Sequence, residues 1–233
     1  MRQRLEFADP GEAAGLAAFL GRLLRWEKNA AVRIQAGGGV AGVFAKPARF
    51  EVVVVRTGRL LGPPGTPGST GSTPGTAAAE LDVTVSAGEL LEGVEEPTET
   101  VTVPGPVTGP PWTGVLPPRG GWQAFAEAPP DAVRAVAVAA VAEFRERAER
   151  LTPAARTRER LDALAEEIWS RPLGRTELPL RAVHAAHALG FLGGTEPLGL
   201  LKAGPWLRLR APAGSVVVRQ GGDRGPGLSV TPV

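Results

Sequence analysis

The sequence predicts an α+β protein, in which an N-terminal helix packs on a mostly antiparallel sheet and a C-terminal three-helix unit ends in a β-hairpin. Two observations favour this fold class. Apolar residues recur at three- and four-residue spacing in some segments, as helices require, and alternate with polar residues in others, as strands require. The 31 glycines and 23 prolines are concentrated in two segments, which leaves the rest of the chain able to fold. We therefore divide the chain into residues 1–96, 97–128 and 129–233.

The first 96 residues predict a helix lying on a sheet. Asp9 and Pro10 favour a helix start, because aspartate can cap the first turn and proline fits its first position. The helix runs to about Trp26 and carries its leucines on one stripe. Strands are predicted over 2–8, 31–35, 40–45, 50–56 and 81–85, and the consecutive valines of 52–55 indicate a central strand.

Two segments rich in glycine and proline interrupt these patterns. Residues 62–76 contain only Gly, Pro, Ser and Thr, so we expect a disordered loop that can bury nothing. Residues 97–128 predict an extended crossover, since a proline-rich chain stays extended and Trp112 and Trp122 can anchor it. From residue 129 onward the pattern predicts helices over 129–150, 152–170 and 179–189, then hairpin strands over 206–210 and 215–219.

Composition narrows the classes of function. The chain has no cysteine, which excludes disulfides, thiolate nucleophiles and cysteine-ligated metals. With two histidines and no tyrosine the usual catalytic side chains are scarce, so we predict a non-enzymatic binding protein with no catalytic residue. No apolar run approaches the roughly 18 residues that span a bilayer, and the first residues carry no apolar leader. We therefore expect a cytoplasmic protein with no membrane partner.

Charge is distributed unevenly along the chain, although the net charge is only +2. Both ends are basic and residues 61–128 are acidic, an asymmetry typical of proteins with an acidic partner or with internal docking. Nearly all of the positive charge is arginine. This bias, together with abundant alanine, glycine and proline, is also the composition of proteins from GC-rich bacteria.

Two motifs suggest small ligands, and both have simpler explanations. Gly37, Gly39 and Gly42 match the glycine spacing of a dinucleotide site, but the following residues continue as a strand instead of opening a helix, which favours a hairpin turn. His184 and His187 lie three residues apart on one predicted helix, and only a distant carboxylate such as Glu177 or Glu196 could complete a metal site. We predict packing histidines and neither a metal nor a cofactor.

The stretch from residue 176 to residue 220 carries the most specific hypothesis. A helix followed by an arginine-bearing hairpin is the closing half of a winged helix, in which the helix enters the major groove and the hairpin touches phosphates. The outward face of this helix holds one arginine and two alanines, which read bases poorly. The sequence thus predicts a winged-helix-like protein that grips the backbone of DNA or RNA through Arg181, Lys202, Arg208, Arg210 and Arg219.

A protein–protein interaction or assembly module is the alternative hypothesis. Trp112 and Trp122 in the crossover can present aromatic surface to a protein partner, and residues 89–99 supply an acidic segment beside it. Such tryptophans can equally clamp an irregular loop onto the core. In that case, the helices and the hairpin form a structural unit in which the hairpin joins a sheet.

Overall fold

The computed structural model describes residues 3–48, 50–61 and 81–221, so the loop predicted over 62–76 lies outside the described residues. Across those ranges the chain forms five α-helices and two antiparallel sheets, which confirms the predicted α+β class. None of the described helices combines the length and the apolar character needed to cross a membrane.

The helices and strands of the described residues are as follows. The helices are α1 (Glu12–Trp26), α2 (Ala87–Glu92), α3 (Pro130–Glu149), α4 (Arg158–Trp169) and α5 (Leu180–Ala188). The strands are β1 (Arg4–Glu6), β2 (Ala31–Gly37), β3 (Val40–Ala45), β4 (Val53–Arg59), β5 (Leu81–Ser86), β6 (Val94–Glu95), β7 (Thr100–Thr102), β8 (Gln123–Ala128), β9 (Leu198–Ala203), β10 (Trp206–Ala211) and β11 (Gly214–Arg219).

One sheet of eight strands joins the two halves of the chain, in the order β5-β2-β3-β4-β11-β10-β9-β8. Each half contributes a helix followed by a three-strand meander, α1 with β2–β4 and α5 with β9–β11, and adds a fourth strand at the outer edge. The halves meet where β4 pairs antiparallel with β11, with Val54 opposite Val216. The β10–β11 hairpin therefore lies inside the sheet, between β4 and β9.

The helices cover one face of this sheet, which we call the core face. Val54 and Val216 are fully buried there, in one apolar cluster with Leu20 of α1 and Val183 of α5. The α1 stripe predicted from the sequence is the buried stripe, since Leu16, Phe19, Leu20 and Leu23 are all at most 2% exposed. Helix α5 packs on β10 and β11 and is enclosed further by α3 and α4.

The start of α1 is held by a carboxylate from a distant segment. Glu99 follows a short 3-10 turn, and its side chain accepts hydrogen bonds from the amides of Gly11 (2.6 Å) and Ala13 (2.8 Å). These backbone N–H groups lower the pKa of Glu99, because they stabilise its ionised form at the positive end of the helix dipole. The small sheet β1-β7-β6 brings Glu99 to this position.

The predicted start of the fourth helix is wrong. The sequence places it at Thr152, but α4 begins at Arg158. Thr157 caps it by accepting a hydrogen bond from the amide of Arg160, while Thr152 closes an isolated turn through Ala155. Both threonines suit an N-cap, and the choice between them depends on where α4 must lie to pack against α3.

A partly buried ion pair fixes the helix, the sheet and the hairpin to one another. The Arg56 Nη2 and Glu12 Oε2 atoms are 2.8 Å apart, with side chains only 13% and 22% exposed. Arg56 also donates from Nη1 to the carbonyl oxygen of Ala213, at 2.7 Å. One guanidinium on β4 thus contacts α1 of the first half and the β10–β11 turn of the second.

Replacement of Arg56 by methionine should lower the free energy of unfolding by about 3 kcal/mol, because it leaves the Glu12 carboxylate largely buried without a partner. Urea denaturation measures this change. The double variant Glu12→Leu/Arg56→Met should recover most of the loss. Arg158→Met is the matched control: its ion pair with Asp162 is 95% and 72% exposed, and the change should stay below about 0.5 kcal/mol. Equal effects of Arg56→Met and Arg158→Met would contradict this account.

A second group of ion pairs joins α3 to α4. Glu167 contacts Arg147 at 2.6 Å and Arg171 at 2.9 Å, and both guanidiniums also contact Glu143. Hydrogen bonds from Arg147 and then Arg171 lower the pKa of Glu167 from its ordinary value of 4.5 to about 2. The stabilisation is therefore complete above pH 4.5 and is lost as the pH falls toward about 2.

Glu167→Gln should consequently destabilise the protein at neutral pH, and this destabilisation should disappear in acid. The difference in urea midpoint between wild type and variant should shrink as the pH falls from about 6 to about 2.5, because protonated Glu167 resembles glutamine. Glu159→Gln, on the same helix, is the control for loss of a carboxylate that contacts no arginine among the described residues. A difference that stays constant over this range would mean that Glu167 does not gain stability from its charge.

Candidate nucleic-acid interface

The second face of the eight-stranded sheet, which we call the outer face, lies opposite the helices. Residues paired in register share a face, so Arg208 lies beside Val217, and Val217 beside Val53. By the same rule Arg210 lies beside Ser215, and Trp206 lies beside Arg219. The outer face therefore collects three arginines of the hairpin, as the period-two pattern of β10 indicates.

Residues 104–122 cross this outer face, and we call them the strap. Near one edge of the sheet, the amide of Val107 donates to the carbonyl of Thr84 (2.9 Å), and Arg33 donates to the carbonyl of Thr113. At the far end Trp122 packs against the outer-face cluster of Val53, Val55 and Val217, with Phe44 and Trp206 beside it. The indole Nε1 donates to the carbonyl of Pro118 at 2.9 Å and so fixes the ring.

Arg208 lies beneath the end of the strap. Its guanidinium carbon is 5.5 Å from the centroid of the Trp122 ring, and its Nη2 donates to Ser215 Oγ at 2.8 Å. Burial, followed by repulsion from Arg210, lowers the pKa of Arg208. Its buried Nε has no hydrogen-bond partner among the described residues. Arg208 is thus a partly desolvated cation without a carboxylate partner among the described residues, and a nearby anion would stabilise its charge.

Arg210 and Arg219 are exposed on either side of Arg208. Within the part of the chain that the structure describes, neither guanidinium makes an ion pair or a hydrogen bond. Arg219 lies over the Trp206 ring, 5.8 Å from its centroid. Glu127 shares the row of Arg210 but belongs to β8, two strands away, which is about 10 Å. We call Arg208, Arg210, Arg219, Trp122 and Trp206 the outer-face patch.

The other two predicted phosphate contacts lie elsewhere and have carboxylate partners. Arg181 on α5 contacts Glu51 and Glu166, and its side chain is only 18% exposed. Lys202 on β9 contacts Glu177 at 2.6 Å. The structure therefore brings together three of the five predicted residues and separates two, which form ion pairs with glutamates away from the patch.

The residues of the predicted protein-interaction surface belong mainly to the strap. Trp112 lies in a 3-10 turn of the strap and Trp122 anchors its end, and both rings are partly buried. In the acidic segment, Glu95 pairs with Arg4 at 2.9 Å and Glu99 caps α1. These contacts show Trp122 and part of the acidic segment holding loops onto the fold.

Both histidines lie on α5, His184 in its middle and His187 in its last turn. The His184 ring stacks on Trp169, with centroids 4.1 Å apart, and meets Phe50 edge-on at 5.0 Å. No group of three His, Asp or Glu side chains suited to holding a metal ion occurs among residues 3–48, 50–61 and 81–221. His184 therefore lies within an aromatic cluster at the junction of the two halves.

Two contacts in the outer-face patch were not predictable from the sequence. Trp122 precedes Arg208 by more than eighty residues, and the strand pattern of β10 contains no signal for the ring above it. Ser215 was unnoticed because a lone serine in a strand carries no motif. By contrast, alternation along one strand predicts that Trp206 and Arg210 lie on the same face of the sheet.

Comparison with protein families divides the chain at the strap. Residues 1–114 match a family model described as Domain of unknown function (DUF8010), and residues 117–223 match one described as Domain of unknown function (DUF8185). No curated protein matches the chain. The two matched ranges correspond to the two halves that meet at β4 and β11.

The structure predicts that two contacting residues of the patch contribute unequally to stability. Trp122→Ala should lower the free energy of unfolding by about 2 kcal/mol, because it uncovers Val53, Val55 and Val217. Arg208→Met should change it by less than about 1 kcal/mol, since the variant removes a desolvated charge together with its packing. Urea denaturation compares the two. A larger loss for Arg208→Met than for Trp122→Ala would show that the arginine, and not the ring, stabilises this face.

Proposed function

We propose that the protein binds the phosphate backbone of a nucleic acid at the outer-face patch, without reading base sequence. The observation that supports this most directly is the pair of exposed guanidiniums of Arg210 and Arg219, which flank a partly buried third at Arg208. Within the described ranges none of the three contacts a carboxylate. Elsewhere in this fold, Arg56, Arg147 and Arg181 are all paired with glutamates.

The chemistry of the patch suits phosphate. A guanidinium presents several N–H donors in a plane and can bind two phosphate oxygens at once. Arg208 is held by Ser215 and Trp122, so little side-chain freedom remains to be lost when an anion binds. Burial, followed by repulsion from Arg210, lowers the pKa of Arg208, so a phosphate at the accessible side of the patch would stabilise its charged form.

Binding without sequence specificity follows from the position of α5. The α5 residues Ala182, Val183, Ala185 and Ala186 are at most 1% exposed, enclosed by the sheet and by neighbouring helices. A helix enclosed in this way cannot lie in the major groove, where base readout needs donor side chains on an open helix face. The proposed contacts are therefore made to the backbone, with affinity that depends on salt.

Fluorescence anisotropy with labelled oligonucleotides at about 50 mM salt tests this function. The double variant Arg210→Gln/Arg219→Gln should bind about tenfold more weakly than wild type, because two phosphate contacts are lost. The slope of log K against log salt should fall in magnitude by roughly 1.5 to 2. Both residues are exposed, so the free energy of unfolding should stay within about 0.5 kcal/mol of wild type.

The matched control is Arg145→Gln/Arg160→Gln, which removes the same charge from exposed positions on α3 and α4. This control should retain wild-type affinity and most of the salt slope. If wild type binds no oligonucleotide, or if the two double variants weaken binding equally, the outer-face patch is not a nucleic-acid interface.

A protein partner is the second candidate, and the free edge of the sheet favours it. Among the described residues strand β8 pairs only with β9, and Phe125 on it is 45% exposed. On the following helix, Val136 and Val138 are 36% and 51% exposed. An unpaired edge strand with exposed apolar side chains can pair with another chain. If no oligonucleotide binds, this edge becomes the better-supported interaction surface.

A further inference from the structure

We infer that the nucleic acid bound at the outer-face patch is single-stranded, an inference that rests on the proposed function. The patch combines exposed guanidiniums with two indole rings on a sheet face. In the part of the chain that the structure describes, no element projects from this face that could enter a groove of a duplex. Each of these features favours a flexible strand with accessible bases over a rigid double helix.

The first step concerns the β10–β11 hairpin. Contact with duplex DNA through a hairpin requires one that projects from the fold. Here β11 pairs along its outer edge with β4, and β10 pairs along its outer edge with β9. The turn is also held, because the carbonyl of Ala213 accepts a hydrogen bond from Arg56. The hairpin therefore cannot extend into a groove without breaking the sheet.

The second step concerns the spacing of the patch. Trp206, Arg208 and Arg210 are alternate residues of one strand, so neighbours among them are about 6.8 Å apart. Arg219 lies directly across from Trp206, on β11. An indole ring and guanidiniums thus alternate over a distance that a few nucleotides can follow. A single strand can place its phosphates at the arginines and turn its bases toward the rings.

The third step concerns the rings themselves. Trp206 and Trp122 are partly exposed, and each has an arginine against it, at 5.8 Å and 5.5 Å respectively. A base stacks on an indole whatever its identity, so this contribution adds affinity without sequence preference. In a duplex the bases are already stacked and paired, so only phosphates could reach the patch.

The experiment compares an oligothymidylate of roughly 16 nucleotides with a duplex of equal length, by anisotropy and by mutual competition. The wild-type chain should bind the single strand about tenfold more tightly than the duplex. Trp206→Ala should weaken single-strand binding by about tenfold and duplex binding by less than about twofold. Trp206→Phe, which keeps an aromatic face, should retain most of the single-strand affinity.

Trp26→Ala is the matched control, since Trp26 is 43% exposed on α1, away from the outer face, and its loss should leave both affinities unchanged. Equal or tighter wild-type binding of the duplex would overturn this inference and leave the proposed function standing. A single-strand preference that survives Trp206→Ala in full would also overturn it. Absence of binding to either oligonucleotide would overturn both proposals, and the wild-type comparison decides the matter even if a tryptophan variant fails to fold.

Discussion

The pairing of β4 with β11 is the interaction on which the rest of the structure depends. It involves only residues 53–55 and 215–217, yet it turns two four-stranded halves into one sheet of eight. Both strands are apolar on both faces: Val54 and Val216 enter the main core, while Val53, Val55 and Val217 form the outer-face cluster. A strand pair buried on both sides is protected from water along its hydrogen bonds, which suits a junction between halves.

The surface chemistry follows from this junction. Leu207 and Leu209 of β10 enter the core, so the arginines that alternate with them lie on the face away from the helices. The strap covers only part of this face. Arginines between elements of the core, such as Arg56 and Arg181, have glutamate partners, because an unpaired charge there would be costly. Arg210 and Arg219 face solvent and need no partner for stability. Neither contacts a carboxylate among the described residues, and both lie beside an aromatic cluster; this position is the basis of both proposals.

Local patterns predicted the elements better than their arrangement. The stripe of α1 and the alternation of β10 follow from side-chain periodicity and are found in the structure. The central strand predicted from residues 52–55 is also found, but it begins at Val53 and runs on to Arg59. Strand β9 was missed, because Leu198, Leu200 and Leu201 form an apolar run without alternation. Helix α2 was missed because it is short, and its only start signal is the cap at Ser86. The union of the halves in one sheet was left open, since strand pairing between distant segments has no local signature.

The candidate site shows the same division. That Trp206, Arg208 and Arg210 share a face was predictable from one strand, whereas the ion pairs of Arg181 and Lys202 and the ring of Trp122 over Arg208 depend on long-range contacts.

Ultraviolet crosslinking of oligothymidylate to the intact chain, followed by peptide mapping, tests the central claim most directly. The account predicts crosslinks concentrated in the peptides that carry Trp122 and residues 206–219. Crosslinks confined to the helices of the core face, or their absence under conditions of saturated binding, would contradict it.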